Sequence, residues 1–386
     1  MANRAARLDP VLSIFRKWLY LPDPGMVEVA LAAVAANHIK GDPVWLMLTG
    51  PPSSGKTETL ISLLGLPNMH SVSTLTEAAL LSGTSTKERA KDATGGLLLE
   101  IGEFGIVVLK DFTSVLSMNR DKLRTLLAAL REVYDGRWTR CVGVDGARKL
   151  EWQGKTGLIG GVTSAIDSAH SVMSSMGQRF ALYRLPAIDG RAQAQNAIEK
   201  TGAEEDMRAE LMGAVGNAFD GLDYDNPPAL LVADREWIVA LATLVARCRS
   251  AVERDGHTRD IELIHDAEAP ARLTKMLVQL LTGARLIGVR PQRARELIVK
   301  VGFDCIPPVR RLALEALLRQ SNPLPLAEIA VTTKYSPQTV RRALEDLSCH
   351  GVVERCAPHC VAEKWRVASL WKQQFDIARG TFPKCQ

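Results

Sequence analysis

The stretch Gly50-Pro51-Pro52-Ser53-Ser54-Gly55-Lys56-Thr57 decides the fold. Its spacing is that of a phosphate-binding loop (P-loop), in which backbone N–H groups and the N-terminus of the following helix converge on phosphate oxygens. In such a loop the lysine reaches the β- and γ-phosphates, and the hydroxyl residue binds Mg²⁺. The sequence therefore predicts ATP and Mg²⁺ as cofactors. The predicted nucleotide-binding residues are Gly50, Pro51, Pro52, Ser53, Ser54, Gly55, Lys56, Thr57 and Glu58.

The segments around this loop alternate between strand and helix patterns. Val44–Thr49 is a short apolar run that predicts a buried strand, and Lys56–Leu64 is predicted as the helix that follows the loop. Ile106–Leu109 and Gly157–Val162 predict two more buried strands, with a helix over Arg120–Tyr134 between them. This alternation predicts an α/β fold with a mostly parallel sheet that helices cover on both faces.

ATP hydrolysis also needs a carboxylate beside the bound nucleotide. In open parallel sheets, ligands bind outside the carboxyl ends of the strands. Asp111 follows the predicted strand at Ile106–Leu109 and is the candidate catalytic and metal-binding carboxylate. The alternative is an Asp that only begins a helix on a loop.

Composition limits the cellular context. The chain has 386 residues, 46% hydrophobic and 24% charged, which is typical of a folded globular protein with two or three domains. It lacks the roughly 20 unbroken apolar residues of a membrane span, and its seven cysteines have no framework spacing. We therefore expect a cytoplasmic protein without membrane attachment. Residues 301–386 hold twelve Lys/Arg and eight Asp/Glu, so most of the net charge of +5 lies there and favours a polyanionic partner.

The segment from Gly105 through Leu130-Arg131 and Asp135-Gly136 to Val142-Gly143 resembles the AAA+ ATPases over about residues 40–290. It is similar to the minichromosome maintenance helicases and the bacterial enhancer-binding activators, which have a hairpin before the first sensor. Those families end a strand in Asp-Glu, whereas this chain has Lys110-Asp111. One carboxylate is missing whichever way the pattern is aligned, which implies slow hydrolysis or a substitute such as Glu103.

The resemblance also implies roles for three further residues. Thr163, at the end of a strand, corresponds to the first sensor of the γ-phosphate or the attacking water. Arg179, in Gly177-Gln-Arg-Phe180, corresponds to the arginine finger that enters a neighbouring subunit's site, and Arg272 corresponds to the second sensor. Each could instead be an ordinary strand-end threonine or surface arginine. A finger acting in trans implies a homo-oligomer, as a ring or a filament.

The segment between Arg137 and Lys155 is rich in basic residues around Val144-Asp145-Gly146, and Asp-Gly predicts a hairpin turn. In the resembling families such a hairpin lies near a ring pore and can contact DNA. A solvated basic hairpin explains the pattern equally well.

The C-terminal part has the pattern of three helices and a wing, and it resembles the winged helix-turn-helix superfamily over residues 308–368. Helices are predicted at Pro308–Gln320, at Leu326–Thr332 and from Ser336-Pro337, and the wing pairs Val352–Arg355 with Lys364–Val367. The third helix would enter the DNA major groove. Its outward residues are predicted to contact DNA: Gln338, Thr339, Arg341 and Arg342. Winged helices also serve as protein-binding or packing modules, so that alternative stays open.

Together these patterns predict an N-terminal helical segment (1–40), an AAA+ core (41–188), an all-helical lid (189–300), a winged helix domain (307–370) and a tail (371–386). The favoured function is an AAA+ ATPase that couples ATP to DNA binding, in a setting such as mobile-element DNA replication or maintenance. One alternative is an ATP-switched transcriptional regulator with little turnover, although Ser82–Gly96 lacks the Gly-Ala-Phe-Thr-Gly-Ala element of the enhancer-binding activators. Another is a loader or remodelling factor whose winged helix binds protein.

Overall fold

The computed structural model describes residues 7–81, 96–142, 148–170, 173, 177–356 and 363–379. They form two compact units. The first comprises Met1–Ile166, Arg179–Ala229 and Gln279–Leu297; the second comprises Asp167–Gln178, Leu230–Val278 and Ile298–Gln386. The sequence-predicted boundary at 188/189 falls within the first unit. Among the described residues, no helix combines the length and the apolar character that crossing a membrane requires.

A five-stranded parallel sheet forms the centre of the first unit. Its strands are β1 (Trp45–Thr49), β2 (Met69–Val72), β3 (Phe104–Leu109), β6 (Lys155–Val162) and β7 (Phe180–Arg184), in the spatial order β2-β3-β6-β1-β7. The sheet confirms the predicted α/β fold. Every residue of β1 is buried, and so are the last seven of β6, which is why both read as continuous apolar runs.

The described residues up to 229 also form helices, of which the one at Ala165–Ser168 ends in the second unit. The helices are α1 (Leu8–Trp18), α2 (Gly25–His38), α3 (Lys56–Ser62), α4 (Glu77–Leu80), α5 (Leu97–Ile101), α6 (Thr113–Leu116), α7 (Arg120–Tyr134), α8 (Ala165–Ser168), α9 (Gly190–Lys200) and α10 (Glu204–Phe219). A 3₁₀ turn at Leu63–Gly65 continues α3. Helix α2 is buried from Gly25 to Asn37, which accounts for its small, apolar composition.

The predicted basic hairpin is present as β4 (Arg137–Val142) and β5 (Arg148–Gln153), which pair antiparallel. Trp138 faces Trp152 across the two strands, and both rings are buried. The Trp152 indole N–H donates to the Gly102 carbonyl, so the hairpin is attached to the segment before β3. The predicted turn Val144-Asp145-Gly146 and most of Ser82–Gly96 lie outside the described residues.

A two-stranded hairpin corrects the prediction of an all-helical lid at residues 189–300. After α11 (Val232–Arg249), strands β8 (Val252–Arg254) and β9 (Ile261–Ile264) pair antiparallel in the second unit. The turn begins with Asp255-Gly256, and the Asp255 carboxylate accepts the backbone N–H groups of His257 and Thr258. That Asp-Gly pair is a hairpin signal which the helical interpretation overlooked. Helices α12 (Ala271–Leu286) and α13 (Pro291–Asp304) follow, and each contains residues of both units.

The C-terminal elements are three helices and a small antiparallel sheet. They are α14 (Pro308–Leu318), β10 (Leu324–Pro325), α15 (Leu326–Thr333), α16 (Pro337–Cys349), β11 (Val353–Cys356) and β12 (Lys364–Val367), followed by α17 (Ser369–Arg379). The Ser336 hydroxyl accepts the Thr339 N–H, the expected N-terminal cap of α16. Val340, Leu344 and Leu347 are fully buried, so this side of α16 faces the interior of the module. Strand β12 pairs with both β10 and β11.

Candidate nucleotide site

The P-loop connects the carboxyl end of β1 to the N-terminus of α3. Gly55 has φ 81° and ψ −1°, a left-handed conformation that glycine adopts at little cost. This turn starts α3 at Lys56, so the first free N–H groups of the helix and its positive dipole end lie in the loop. The sequence that defines the motif is thus also what places free backbone N–H groups in this loop.

Lys56 is held inside its own loop by oxygen acceptors. Its Nζ donates to the carbonyl oxygens of Gly50 (2.8 Å) and Pro51 (2.6 Å) and to the Ser54 hydroxyl (3.0 Å). Burial lowers the pKa of Lys56, and the nearby Asp111 carboxylate partly opposes that shift. The ammonium group therefore lies in a small cluster of oxygens, and phosphate oxygens would have to replace some of these partners.

Asp111 and Thr163 follow the carboxyl ends of β3 and β6, two adjacent strands. The Asp111 carboxylate accepts the Thr113 N–H at 2.8 Å, and the Thr163 N–H donates to the Thr113 hydroxyl at 3.3 Å. A Cβ on Gly161 would lie 2.8 Å from the Lys110 carbonyl oxygen, so glycine lets the two strand ends approach. Thr113 links the two predicted residues, and sequence reasoning did not single it out.

Lys56, Asp111 and Thr163 line one cavity of about 510 Å³ in the first unit. The P-loop contributes Pro52 to Glu58, and the strand ends contribute Lys110, Asp111, Gly161, Val162 and Thr163. An apolar wall comes from the end of α1 and the segment after it, with Trp18, Leu19, Tyr20 and Leu21, and from Met26 of α2. Phosphate-binding groups at one part and apolar side chains at another are what a nucleotide with a flat base requires.

Helices α9 and α10 close the cavity on another side. The Gln193 side-chain amide donates to the Ser53 carbonyl oxygen at 2.6 Å. Arg208 forms a two-point ion pair with Glu58, with Nε–Oε2 at 3.0 Å and Nη2–Oε1 at 2.9 Å. Sequence reasoning missed Gln193 and Arg208, because these contacts join residues 140 and 150 positions apart.

Glu103 cannot substitute for the missing carboxylate of the Asp-Glu pair. It directly precedes β3, whereas Asp111 lies two residues after that strand ends, so the two are at opposite ends of a six-residue strand. At about 3.3 Å per residue this separation is roughly 25 Å. The cavity carboxylates on the described residues are Glu58, Asp111 and Glu204, and Glu58 is paired with Arg208.

Arg179 and Arg272 lie in different units. Arg179 is only 6% exposed: its Nη2 pairs with Asp135 at 3.0 Å, and its guanidinium lies over the Tyr134 ring. A role in a neighbouring subunit therefore requires the side chain to leave Asp135. Arg272 is the second residue of α12 and belongs to the second unit.

In the second unit, the predicted DNA-binding helix α16 is anchored by its C-terminal half. Asp346 accepts from Arg254 of β8 at 2.7 Å and from Arg310 of α14 at 3.0 Å. Arg254 also contacts Glu345 and the Arg342 carbonyl oxygen. The N-terminal half remains accessible: Gln338 and Arg341 are exposed, whereas Thr339 and Arg342 are half-buried.

Comparisons with known proteins give only distant likenesses. No model of a protein family and no curated protein matches the chain. A candidate ATPase from Cytophaga hutchinsonii is 12% identical over 79% of this chain and 87% of its own, with a TM-score of 0.42. The active helicase Cch of SCCmec type IV is 10% identical over 96% and 71%, with a TM-score of 0.39. The C-terminal region of NrS-1 is 11% identical over 94% and 75%, with a TM-score of 0.30. At such identities and scores, likeness assigns no function to this chain.

Proposed function

We propose that this chain is an AAA+-type ATPase that binds ATP and Mg²⁺ in the cavity beside α3. The observation that carries the proposal is the convergence of the P-loop with the carboxyl ends of β3 and β6 on one cavity. The P-loop supplies N–H groups and a lysine, Asp111 supplies a carboxylate, and Thr163 supplies a hydroxyl. Those are the groups that phosphoryl transfer uses for positioning and for charge stabilisation.

The residues present fit a magnesium ion. The Thr57 hydroxyl and the Asp111 carboxylate both line the cavity, and Mg²⁺ prefers oxygen ligands of this kind. When bound, the ion would neutralise charge on the phosphates. Lys56 would exchange the Gly50 and Pro51 carbonyl oxygens for phosphate oxygens, and Thr163 would orient the γ-phosphate or the attacking water.

The second candidate is an ATP-switched regulator with little turnover. It is favoured by the small number of carboxylates at the strand ends of the described cavity lining. Among the described residues of the cavity lining, Asp111 is the only carboxylate that follows a strand end, since Glu58 lies on α3 and Glu204 on α10. If Asp111 holds the metal, the described part of the cavity lining offers no second strand-end carboxylate to polarise water. The expected turnover is therefore slow, and the two candidates differ in whether DNA accelerates it.

We also propose that the active form is a homo-oligomer, with Arg179 acting in trans and Arg272 as the second sensor. The support is the order of these residues along the chain, which is that of the resembling families. Arg179 forms an ion pair with Asp135, so a phosphate in the neighbouring subunit must compete with this carboxylate for the guanidinium group. Arg179→Ala should abolish turnover and leave ATP affinity unchanged.

DNA is the proposed partner of the module formed by α14 to β12. Helix α16 has an exposed N-terminal half, and the recognition helix of a winged helix-turn-helix contacts base edges with that half. Docking of a protein on α16 is the alternative. Loss of duplex binding in a double variant, Arg341→Ala with Arg342→Ala, favours DNA; unchanged binding favours the protein partner.

The test of the whole proposal is steady-state ATP hydrolysis with and without duplex DNA, on wild type and Lys56→Ala. A motor gives turnover that DNA stimulates and that the variant loses. Nucleotide binding with wild-type turnover equal to that of Lys56→Ala, in both conditions, selects the switch. If neither nucleotide nor DNA binds, the proposed function is wrong.

A further inference from the structure

Three charged side chains meet at one point between α16 and the small sheet. The Glu363 carboxylate accepts from Arg341 of α16, with Nε at 3.0 Å and Nη2 at 2.9 Å. The Nε of Arg355, on β11, lies 3.5 Å from the other carboxylate oxygen. The Glu363 side chain is only 11% exposed, whereas Arg341 and Arg355 are 50% and 63% exposed. The acid is thus largely covered, and both guanidinium groups still reach solvent.

The surrounding backbone fixes this arrangement. The Glu363 carbonyl oxygen accepts the Leu326 N–H at 3.0 Å, which holds the acid at the start of α15. Arg355 is paired in register with Trp365, so the two side chains share a face of the sheet, and Trp365 is buried. Arg355 therefore lies on the face that packs against the helices, where it reaches the carboxylate that Arg341 holds.

A carboxylate and a phosphate are equivalent targets for guanidinium groups, since both accept two N–H bonds side by side. Two arginines from separate elements that converge on one carboxylate form an oxyanion site whose anion the chain itself supplies. We propose that Arg341 and Arg355 are a clamp for one phosphodiester group of duplex DNA, and that Glu363 is its internal competitor. This inference rests on the proposed DNA-binding function and adds Arg355 and Glu363 to it.

The clamp favours a backbone phosphate over a free phosphate ion. Exposed ion pairs contribute little each, so a single dissolved anion has no advantage over a tethered carboxylate. A duplex that also contacts the exposed N-terminal half of α16 delivers its phosphate to the clamp already held in place. The net charge of +4 on residues 301–386 adds to the attraction.

The experiment measures the affinity of the full chain for a fluorescent 20-base-pair duplex between 50 and 200 mM KCl. Glu363→Gln keeps the shape of the side chain and removes its charge, and it should tighten binding about two- to fivefold. Arg355→Ala should reduce the slope of log K against log salt by about 0.9, the value of one phosphate contact. Free inorganic phosphate at the same ionic strength should not displace the duplex.

Arg366→Ala is the matched control. Arg366 is likewise a half-exposed arginine of the small sheet with a glutamate partner, but it neighbours Trp365 along β12 and so lies on the opposite face. We expect the slope of log K against log salt for Arg366→Ala to stay within about 0.3 of the wild-type slope, which is about a third of the value for one phosphate contact. An equal loss in Arg355→Ala and Arg366→Ala would mean that only total charge matters, and the clamp would be wrong. Circular dichroism of each variant checks that the module is folded.

The outcomes separate this inference from the function on which it rests. If wild type does not bind duplex DNA, the proposed DNA function fails and the clamp fails with it. If wild type binds and the Arg341 and Arg342 double variant does not, while Glu363→Gln and Arg355→Ala behave as wild type, the clamp alone is overturned. Displacement of the duplex by inorganic phosphate would also overturn the assignment to a backbone phosphate.

Discussion

Replacing Arg293 with alanine should destabilise the first unit and weaken nucleotide binding at once. Arg293, on α13, donates to Asp23 at 2.6 Å and to Glu28 at 2.7 Å. Asp23 also accepts from the Tyr183 hydroxyl and the Gly25 N–H. Asp23 lies two residues after the segment Trp18–Leu21, which lines the nucleotide cavity, and Glu28 lies on α2 two residues after Met26, which also lines it. Arg293 thus connects α13 to the apolar wall of that cavity.

The burial of the three groups sets the magnitude. Removing one partner of a fully buried ion pair costs roughly 3–5 kcal/mol. Glu28 is 5% exposed, but Arg293 and Asp23 are 31% and 32% exposed, so solvent screens part of the interaction. We therefore expect Arg293→Ala to lower the free energy of unfolding by about 2–3 kcal/mol at pH 7. Loosening of the cavity wall should weaken ATP binding severalfold.

The cost should shrink in acid. Burial acts to raise the pKa of Asp23, but Arg293 and the hydrogen bonds bring it below 3.8, so its stabilisation exists above that pH and is lost below it. For Glu28, burial outweighs Arg293 and raises the pKa above 4.5, so its charged form costs stability as pH rises. Without Arg293 both pKa values rise. The deficit is then greatest near neutrality and falls as the pH is lowered towards 4, because the two acids take up protons more readily in the variant than in wild type.

The assay is urea unfolding followed by circular dichroism, at pH 4 and pH 7, with Arg290→Ala as the matched control. Arg290 is an exposed arginine three residues before Arg293, and its removal should change stability by no more than about 0.5 kcal/mol. Equal losses in the two variants would refute the reasoning. So would an Arg293→Ala deficit that is the same at both pH values.

Three further predictions concern other parts of the first unit. Burial lowers the pKa of Lys155 to about 8, so between pH 8 and 10 the unfolded chain binds a proton that the folded chain has released. Wild-type stability should therefore rise over this pH range, whereas the urea midpoints of Lys155→Met should not rise. Gly283→Ala puts a Cβ 2.2 Å from the Ala32 carbonyl oxygen and should cost about 1–3 kcal/mol in thermal unfolding. Gly213→Ala is the control, because a Cβ at Gly213 meets no atom within 4 Å and should not destabilise the protein. Equal losses of stability in the two variants would contradict the close packing at Gly283. Arg179→Ala should lose ATP turnover and retain ATP binding, measured by calorimetry. Retained turnover would show that Arg179 is not the arginine finger.

The parts of the fold that could be predicted are those with local signals. Strands β1 and β6 are buried on both faces, so their apolar runs were readable, and α7 has its leucines on one side. Strand β2 is a four-residue edge strand with half-buried residues, which leaves no clear run. Strand β7 was not predicted as a strand, because its five residues were considered only as the continuation of the segment that contains Arg179.

The same distinction applies to the candidate site. The P-loop, Asp111 and Thr163 could be selected because a motif and two strand ends mark them. The partners that shape the cavity could not, because their roles depend on contacts across the chain, as in the Arg208–Glu58 pair. The burial of Arg179 could not be predicted for the same reason, since its ion-pair partner Asp135 lies 44 residues away in the sequence.

The most direct test of the central claim is calorimetric titration of ATP with Mg²⁺ into wild type, Lys56→Ala and Lys122→Ala. Lys122 is an exposed lysine on α7, away from the cavity lining, and controls for loss of charge. Since a hydrogen bond to a charged group contributes about 1.5–3 kcal/mol, Lys56→Ala should weaken binding at least tenfold, while Lys122→Ala should match wild type. Binding that survives unchanged in Lys56→Ala would contradict the assignment of this loop as the phosphate site.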